Sequence, residues 1–341
     1  MFHSRRGFLA GAGATIGTLP MTLRAMSEPS MSMAPTKAGT SPQAILSLFK
    51  ALPGDVAIKI YAPAANGKPE FLVESNASKT MFVGSAIKTF ILCEALRQAD
   101  SPQVVQTIRG QQLALDASVW SVDSATFNPP NLIGKVSERT ALEAMILHSD
   151  NTGTDMCLKH VGPDEVREFI ASAGLKSVTV PESTRVFFGY LLGAKDYRNF
   201  TWEEIGAATN SPIINSPLNK AESLASSADD LVSYYSRALR GEFFRNTETL
   251  NEFRRILAMS DAIWLLPLPL GVSAFCKGGS IDVAAFHAVC APGGMLFDDC
   301  WVYFCLTINW YAKAETDVDT VKAFAAAGSR ALALVKEALS A

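Results

Sequence analysis

Apolar positions after Ser41-Pro42 follow a helical period, with Ile45, Leu46, Phe49 and Leu52 on one face. Ser41 suits the capping position and Pro42 the first helical one. The stretches DVAIKIYAP and KPEFLVES then alternate like two strands, joined by the turn AANGK. A nearly continuous apolar run begins the next helix near Ser85. Helical periodicity returns at residues 138–148, 152–160, 163–173, 227–241 and 247–259. Towards the C-terminus GVSAFCKGG, AAFHAVCA and WVYFCLTINW read as three strands, and DTVKAFAAAGSRALALVKEAL closes the chain as an amphipathic helix.

This order predicts an α/β (α+β) fold. Both chain ends contribute to one antiparallel sheet with flanking helices, and an all-helical subdomain is inserted between them. The α/β part is expected over about residues 41–84 and 262–341 and the helical part over about 85–261. Residues 176–226 lack clean periodicity and are too long for an ordinary connection, so they read as an Ω-type loop. Within it, RVFFGYLLGAKDYRNF is rich in aromatic residues and suits either a lid or core packing.

The run MFVGSAIKTFIL, residues 81–92, contains a polar pair that its surroundings do not explain. Ser85 and Lys88 stand three apart, which places them side by side on one helix face. A lysine in an apolar helix is costly unless it is paired or has a chemical task. A second serine–lysine pair, Ser47 and Lys50, reads as a solvated helix segment.

Composition narrows the field. The chain has 341 residues, a formal charge of −3 and 48% hydrophobic residues, as in ordinary globular proteins. No basic block provides a footprint for nucleic acid. The six cysteines and four histidines show no metal-ligand spacing, so neither metal nor cofactor is expected. Arg5 and Arg6, followed by Phe8-Leu9 and a glycine-rich apolar stretch, read as a twin-arginine export signal. Residues 1–40 are then signal and linker, and the mature chain over 41–341 is a periplasmic monomer acting on a small molecule. The apolar stretch is too short to span a membrane.

Two further motifs lie downstream. Ser149-Asp150-Asn151 sits between two helices, and Lys277-Gly278-Gly279-Ser280 ends a late strand. With the pair Ser85 and Lys88, their order resembles the class A β-lactamase family of penicillin-recognising serine hydrolases. The resemblance covers nearly everything after residue 40 and extends to the element order. It implies that Ser85 is the nucleophile, activated by Lys88. It implies that Ser149 passes a proton to the leaving nitrogen, and that Lys277 attracts the substrate carboxylate and supports Ser149. Asn151 and the Gly279-Ser280 backbone would bind substrate, and the Ser85 and Ser280 amides would form an oxyanion hole.

The sequence departs from the family pattern at two places. Gly278 stands where the family has Thr or Ser, which implies either weaker carboxylate recognition or compensation by Ser280, and a more open pocket. The loop glutamate that clears the acyl-enzyme has no counterpart in register. Ser211-Pro212-Ile213-Ile214-Asn215 falls on that motif, with Asn215 as a substrate-side asparagine and Ser211 at the glutamate position. A serine is no general base at neutral pH. Glu182, and Glu203 of the pair Glu203-Glu204, are the remaining candidates for that task. The expected activity is therefore acylation of Ser85 by a β-lactam with slow hydrolysis. The alternatives are a D,D-peptidase or esterase, or a penicillin-binding protein with little turnover.

Overall fold

The computed structural model describes residues 41–340, apart from 66, 209–210, 284 and 314–315. The expected export signal lies outside the described residues. The chain opens with α1 (Pro42–Ser47), β1 (Asp55–Ala62), β2 (Phe71–Ser75) and β3 (Met81–Phe82). A 3-10 turn, Gly84–Ile87, leads into α2 (Lys88–Gln98). Then come α3 (Val104–Gly110), β4 (Gln112–Leu115), β5 (Gly134–Ser137), α4 (Glu138–Leu147), α5 (Asn151–Val161) and α6 (Pro163–Ser172). The loop region holds α7 (Thr184–Leu191), α8 (Trp202–Ala208) and β6 (Ala225–Ser226). The rest comprises α9 (Ala228–Ala238), α10 (Thr247–Leu257), α11 (Ala262–Leu265), β7 (Ser273–Cys276), β8 (Gly279–Val283), β9 (Ala285–Phe297), β10 (Cys300–Ala312) and α12 (Val318–Ser340).

The main sheet runs in the order β2-β1-β10-β9-β7, and β8 also pairs with β9. Among the described residues the late strands number four rather than three, because the chain leaves the ladder at Lys277-Gly278 between β7 and β8. Antiparallel pairing of Asp55 with Asn309 joins the two chain ends, as the sequence implied.

Side chains alternate across a strand, and β10 shows how that builds two cores. Val302, Phe304, Leu306, Ile308 and Trp310 face one way, into a core that α1 and α12 complete through Ile45, Phe324, Leu332 and Val335. Tyr303 and Cys305 face the other way, into the core shared with the helical part. In that second core α2 is buried from Lys88 to Leu96. A helix that is apolar all round belongs in an interior, which explains the unbroken run after Ser85. Either core buries well over ten apolar side chains, each worth roughly 1.5–3 kcal/mol before the entropy of folding is subtracted.

Candidate active site

The segment before Ser85 is held on both sides. Met81-Phe82 pairs with Ala225-Ser226, and Val83 N–H donates to Leu224 O at 2.8 Å. The buried Asn309 of β10 acts as a substitute strand partner: it accepts from Phe82 N–H and donates to Phe82 O, both at 2.9 Å. Phe187 of α7 stacks on Phe82 with ring centroids 5.9 Å apart. The aromatic insertion is therefore core packing beneath this strand at Phe187.

Ser85 lies half-buried on the 3-10 turn, and β8 passes directly against it. Gly84 adopts φ +54°, and a side chain there would meet Ser280 N and Ser280 O at 2.9 Å. A Cβ on Gly279 would lie 2.5 Å from both Ser85 N and Ala86 N. Only glycine allows backbones to approach so closely. The opening amides of a helical turn have no partner within it, so the Ser85 N–H faces the same space as the start of β8. The expected pair of oxyanion donors, Ser85 and Ser280, is brought together.

Lys88 is fully buried. Its ammonium donates to Ser149 O at 2.6 Å, to Asn151 Oδ1 at 2.7 Å and to Ser149 Oγ at 3.3 Å. None of its hydrogen bonds among the described residues runs to Ser85. The placement of the two on one helix face is thus not accompanied by a hydrogen bond between them. A buried ammonium takes the strongest acceptors within reach, and here those are a carbonyl and an amide oxygen. Burial, followed by the nearby Lys277 charge, lowers the Lys88 pKa from 10.5 to about 7; Asp150, Asp155 and Asp123 oppose the shift.

Ser149 owes its orientation to backbone strain, because φ is +54° at a residue that is not glycine. Such a conformation costs roughly 1–3 kcal/mol and persists only where its surroundings fix it. It turns both oxygens of Ser149 onto Lys88. Asp150 caps α5, accepting from Gly153 N–H at 2.8 Å, and also accepts from Thr126 N–H at 2.8 Å and Phe127 N–H at 3.1 Å. Asn151 bridges the site, since its Nδ2 donates to Val122 O at 2.9 Å while its Oδ1 holds Lys88.

Lys277 is 1% exposed, and its ammonium donates to Gly278 O at 2.7 Å. Burial lowers its pKa, with Asp261 and Cys276 opposing. At Gly278 the expectation of an opened pocket fails. A Cβ there would lie 2.8 Å from the Ala262 Cβ, so α11 already occupies the space.

Among the described residues no hydrogen bond or ion pair ties the loop candidates to this cluster. Asn215 donates to Tyr190 O at 2.7 Å and clamps the end of α7. Ser211 caps the turn after α8 through its N–H to Ala208 O at 2.8 Å. Glu182 pairs with Arg167 at 3.0 Å on the surface, and Glu203 lies exposed in the first turn of α8. The second serine–lysine pair, Ser47 and Lys50, is exposed at α1.

Asp155 was missed by sequence reasoning. Buried in α5, it accepts from Thr184 N–H at 2.7 Å and Arg185 N–H at 3.1 Å, which anchors α7. Burial pushes its pKa up to about 6. Asp123 was also missed; it is exposed, with φ +55°, and its charge reaches Lys88. No local pattern marks either residue.

A serine at the head of a buried helix, with two desolvated lysines behind it and a sheet strand across it, defines a serine hydrolase of the β-lactamase/transpeptidase fold. The chain belongs to the β-lactamase enzyme family, whose model matches residues 40–289. Solved structures share the fold at low identity. The TLA-3 extended-spectrum β-lactamase is 15% identical with a TM-score of 0.65, covering 88% of this chain and 98% of that one. A class A β-lactamase from Mycobacterium abscessus is 15% identical at 0.63, covering 88% and 99%. PBP-A is 15% identical at 0.60, covering 87% and 96%. No curated protein matches the chain. Among the described residues no helix is long and apolar enough to cross a membrane.

Proposed function

We propose that this protein is an exported, periplasmic serine hydrolase that opens β-lactam rings through an acyl-enzyme on Ser85 and releases the product slowly. The observation that carries this reading is the environment of Lys88. It is a buried amine with a pKa near 7, bonded to Ser149 and Asn151 and placed one turn from a serine whose amide faces β8. At neutral pH a large share of such amines is unprotonated and free to accept the Ser85 proton.

In this mechanism Ser85 Oγ attacks the lactam carbonyl as Lys88 takes its proton. The Ser85 and Ser280 amides receive the developing oxyanion, a donor typically contributing about 3 kcal/mol. Ser149, hydrogen-bonded to Lys88, delivers the proton to the departing ring nitrogen. Lys277 keeps positive potential beside Ser149 and draws the substrate carboxylate, while Asn151 and the backbone at Gly279 hold the acyl side chain. Asn215 acts at a distance by fixing the loop.

A second reading, a penicillin-binding protein with little turnover, is favoured by the serine at position 211. One experiment distinguishes them. The mature protein is mixed with a chromogenic cephalosporin while colour and protein mass are followed. Many turnovers per chain support the hydrolase, and a single burst with a lasting adduct supports the binder. Absence of both colour and adduct refutes the acyl-enzyme altogether. Ser85→Ala abolishes the adduct, and Ser47→Ala leaves it unchanged.

A further inference from the structure

Hydrolysis needs a group to activate water, and among the described residues none of the loop candidates is bonded to the cluster around Lys88: position 211 is a serine, Glu182 is tied to Arg167, and Glu203 lies exposed on α8. Three carboxylates act electrostatically on Lys88: Asp150, Asp155 and Asp123. The oxygens of Asp150 are taken by the amides of Gly153, Thr126 and Phe127. Those of Asp155 are taken by the amides of Thr184 and Arg185. Asp123 alone of the three has no hydrogen bond or ion pair among the described residues.

The Asp123 backbone is fixed from both sides onto the start of α5. Val122 O accepts from Asn151 Nδ2 at 2.9 Å. Ser121 N–H donates to Thr152 Oγ1 at 3.0 Å, and Ser124 Oγ does so at 2.7 Å. Thr152 N–H in turn donates to Ser124 Oγ at 2.8 Å. Between these ties Asp123 is held at φ +55°, in the left-handed region that few side chains other than Asn and Asp tolerate. The same Asn151 holds Lys88 at 2.7 Å, so a single amide side chain sets the spacing between the lysine and the aspartate loop. The carboxylate is open to solvent yet crowded by protein atoms, and that crowding raises its pKa against the pull of Lys88.

We infer that Asp123 is the general base that activates the deacylating water, the task that a loop glutamate carries elsewhere in the family. This rests on the acyl-enzyme reading above. The Asp123 carboxylate removes a proton from water as the water oxygen bonds to the ester carbonyl carbon. The tetrahedral adduct collapses by breaking its bond to Ser85 Oγ; the proton held by Asp123 passes through solvent to Lys88, left neutral when Ser149 protonated the ring nitrogen, and from Lys88 to that oxygen. The product leaves as the open-ring acid, with Asp123 again ionised and Lys88 again neutral.

The test is rapid mixing of the full mature protein with a chromogenic cephalosporin, with quenched samples weighed by mass spectrometry. For Asp123→Asn, the acylation burst keeps its wild-type rate within about threefold. Steady-state turnover falls by about 100-fold or more, the scale of a lost general base, and adduct accumulates. Asp123→Ala behaves likewise and regains turnover with added formate, which a merely structural role would not permit. Wild-type turnover in Asp123→Asn, equal slowing of burst and steady state, or absence of formate rescue each overturns the assignment. So does a permanent adduct in the wild-type protein. If no adduct forms even in the wild type, the acyl-enzyme reading has failed, and this inference with it.

Discussion

Replacing Gly278 with threonine restores the hydroxyl common in the family, and the structure says why the chain does not carry it. The new Cβ would stand 2.8 Å from the Ala262 Cβ, roughly 0.7 Å inside ordinary carbon contact. The conflict lies between backbone-attached atoms, so rotamer changes give no relief. Overpacking of this kind costs about 2 kcal/mol. Ala262→Gly alone loses a buried methyl and stiffens nothing, at about 1 kcal/mol. In the double variant Gly278→Thr/Ala262→Gly the threonine occupies the vacated space, and the total cost is about 1 kcal/mol rather than about 3. The coupling of about −2 kcal/mol is read from urea midpoints at constant slope. Additivity to within about 0.5 kcal/mol would refute the claim that α11 is what excludes a side chain at position 278.

Three other consequences are open to measurement. Since burial and Lys277 hold the Lys88 pKa at about 7, the acylation burst rises with pH through that value; a flat profile between roughly pH 5.5 and 8.5 contradicts the base assignment. The same depression lowers stability: the penalty is complete below about 7 and fades towards 10.5, so the urea midpoint climbs with pH across that window, provided other groups are subtracted with Lys88→Met. Asp155→Ala removes two anchors of α7 and costs about 2–4 kcal/mol, seen as a lower urea midpoint with faster proteolysis near residues 184–200; unchanged cleavage there would show that Phe187 and the Asn215 clamp hold the helix without Asp155.

Much of the candidate cluster was legible because its chemistry is written in short runs. Ser85 and Lys88, Ser149 to Asn151, and Lys277 to Ser280 each sit at the start or end of an element whose periodicity was plain. What escaped notice depends on contacts between distant residues. The role of Asn309 follows from its pairing with Phe82, and the position of Asp123 from a hydrogen bond between Asn151 and Val122. Helix α7 was hidden because Gly189 interrupts its apolar pattern and Gly193 follows just beyond its end. Gly189 is required by Phe200, whose ring lies 2.8 Å from where a Cβ would be. The short strands β4 and β5, four residues each, fall below what alternation reveals.

The pairing of β1 with β10 also has a consequence for timing. The turn bearing Ser85 takes its shape from Asn309 and from the strand that follows Lys277, both contributed by the last quarter of the chain. Contacts so remote in sequence form late, after local helices have settled. On the proposed mechanism, residue 85 is until then an ordinary alcohol with no means of attack. The proposed reactive centre then comes into being only as the molecule finishes folding, so a chain lacking its last quarter is expected to be inert.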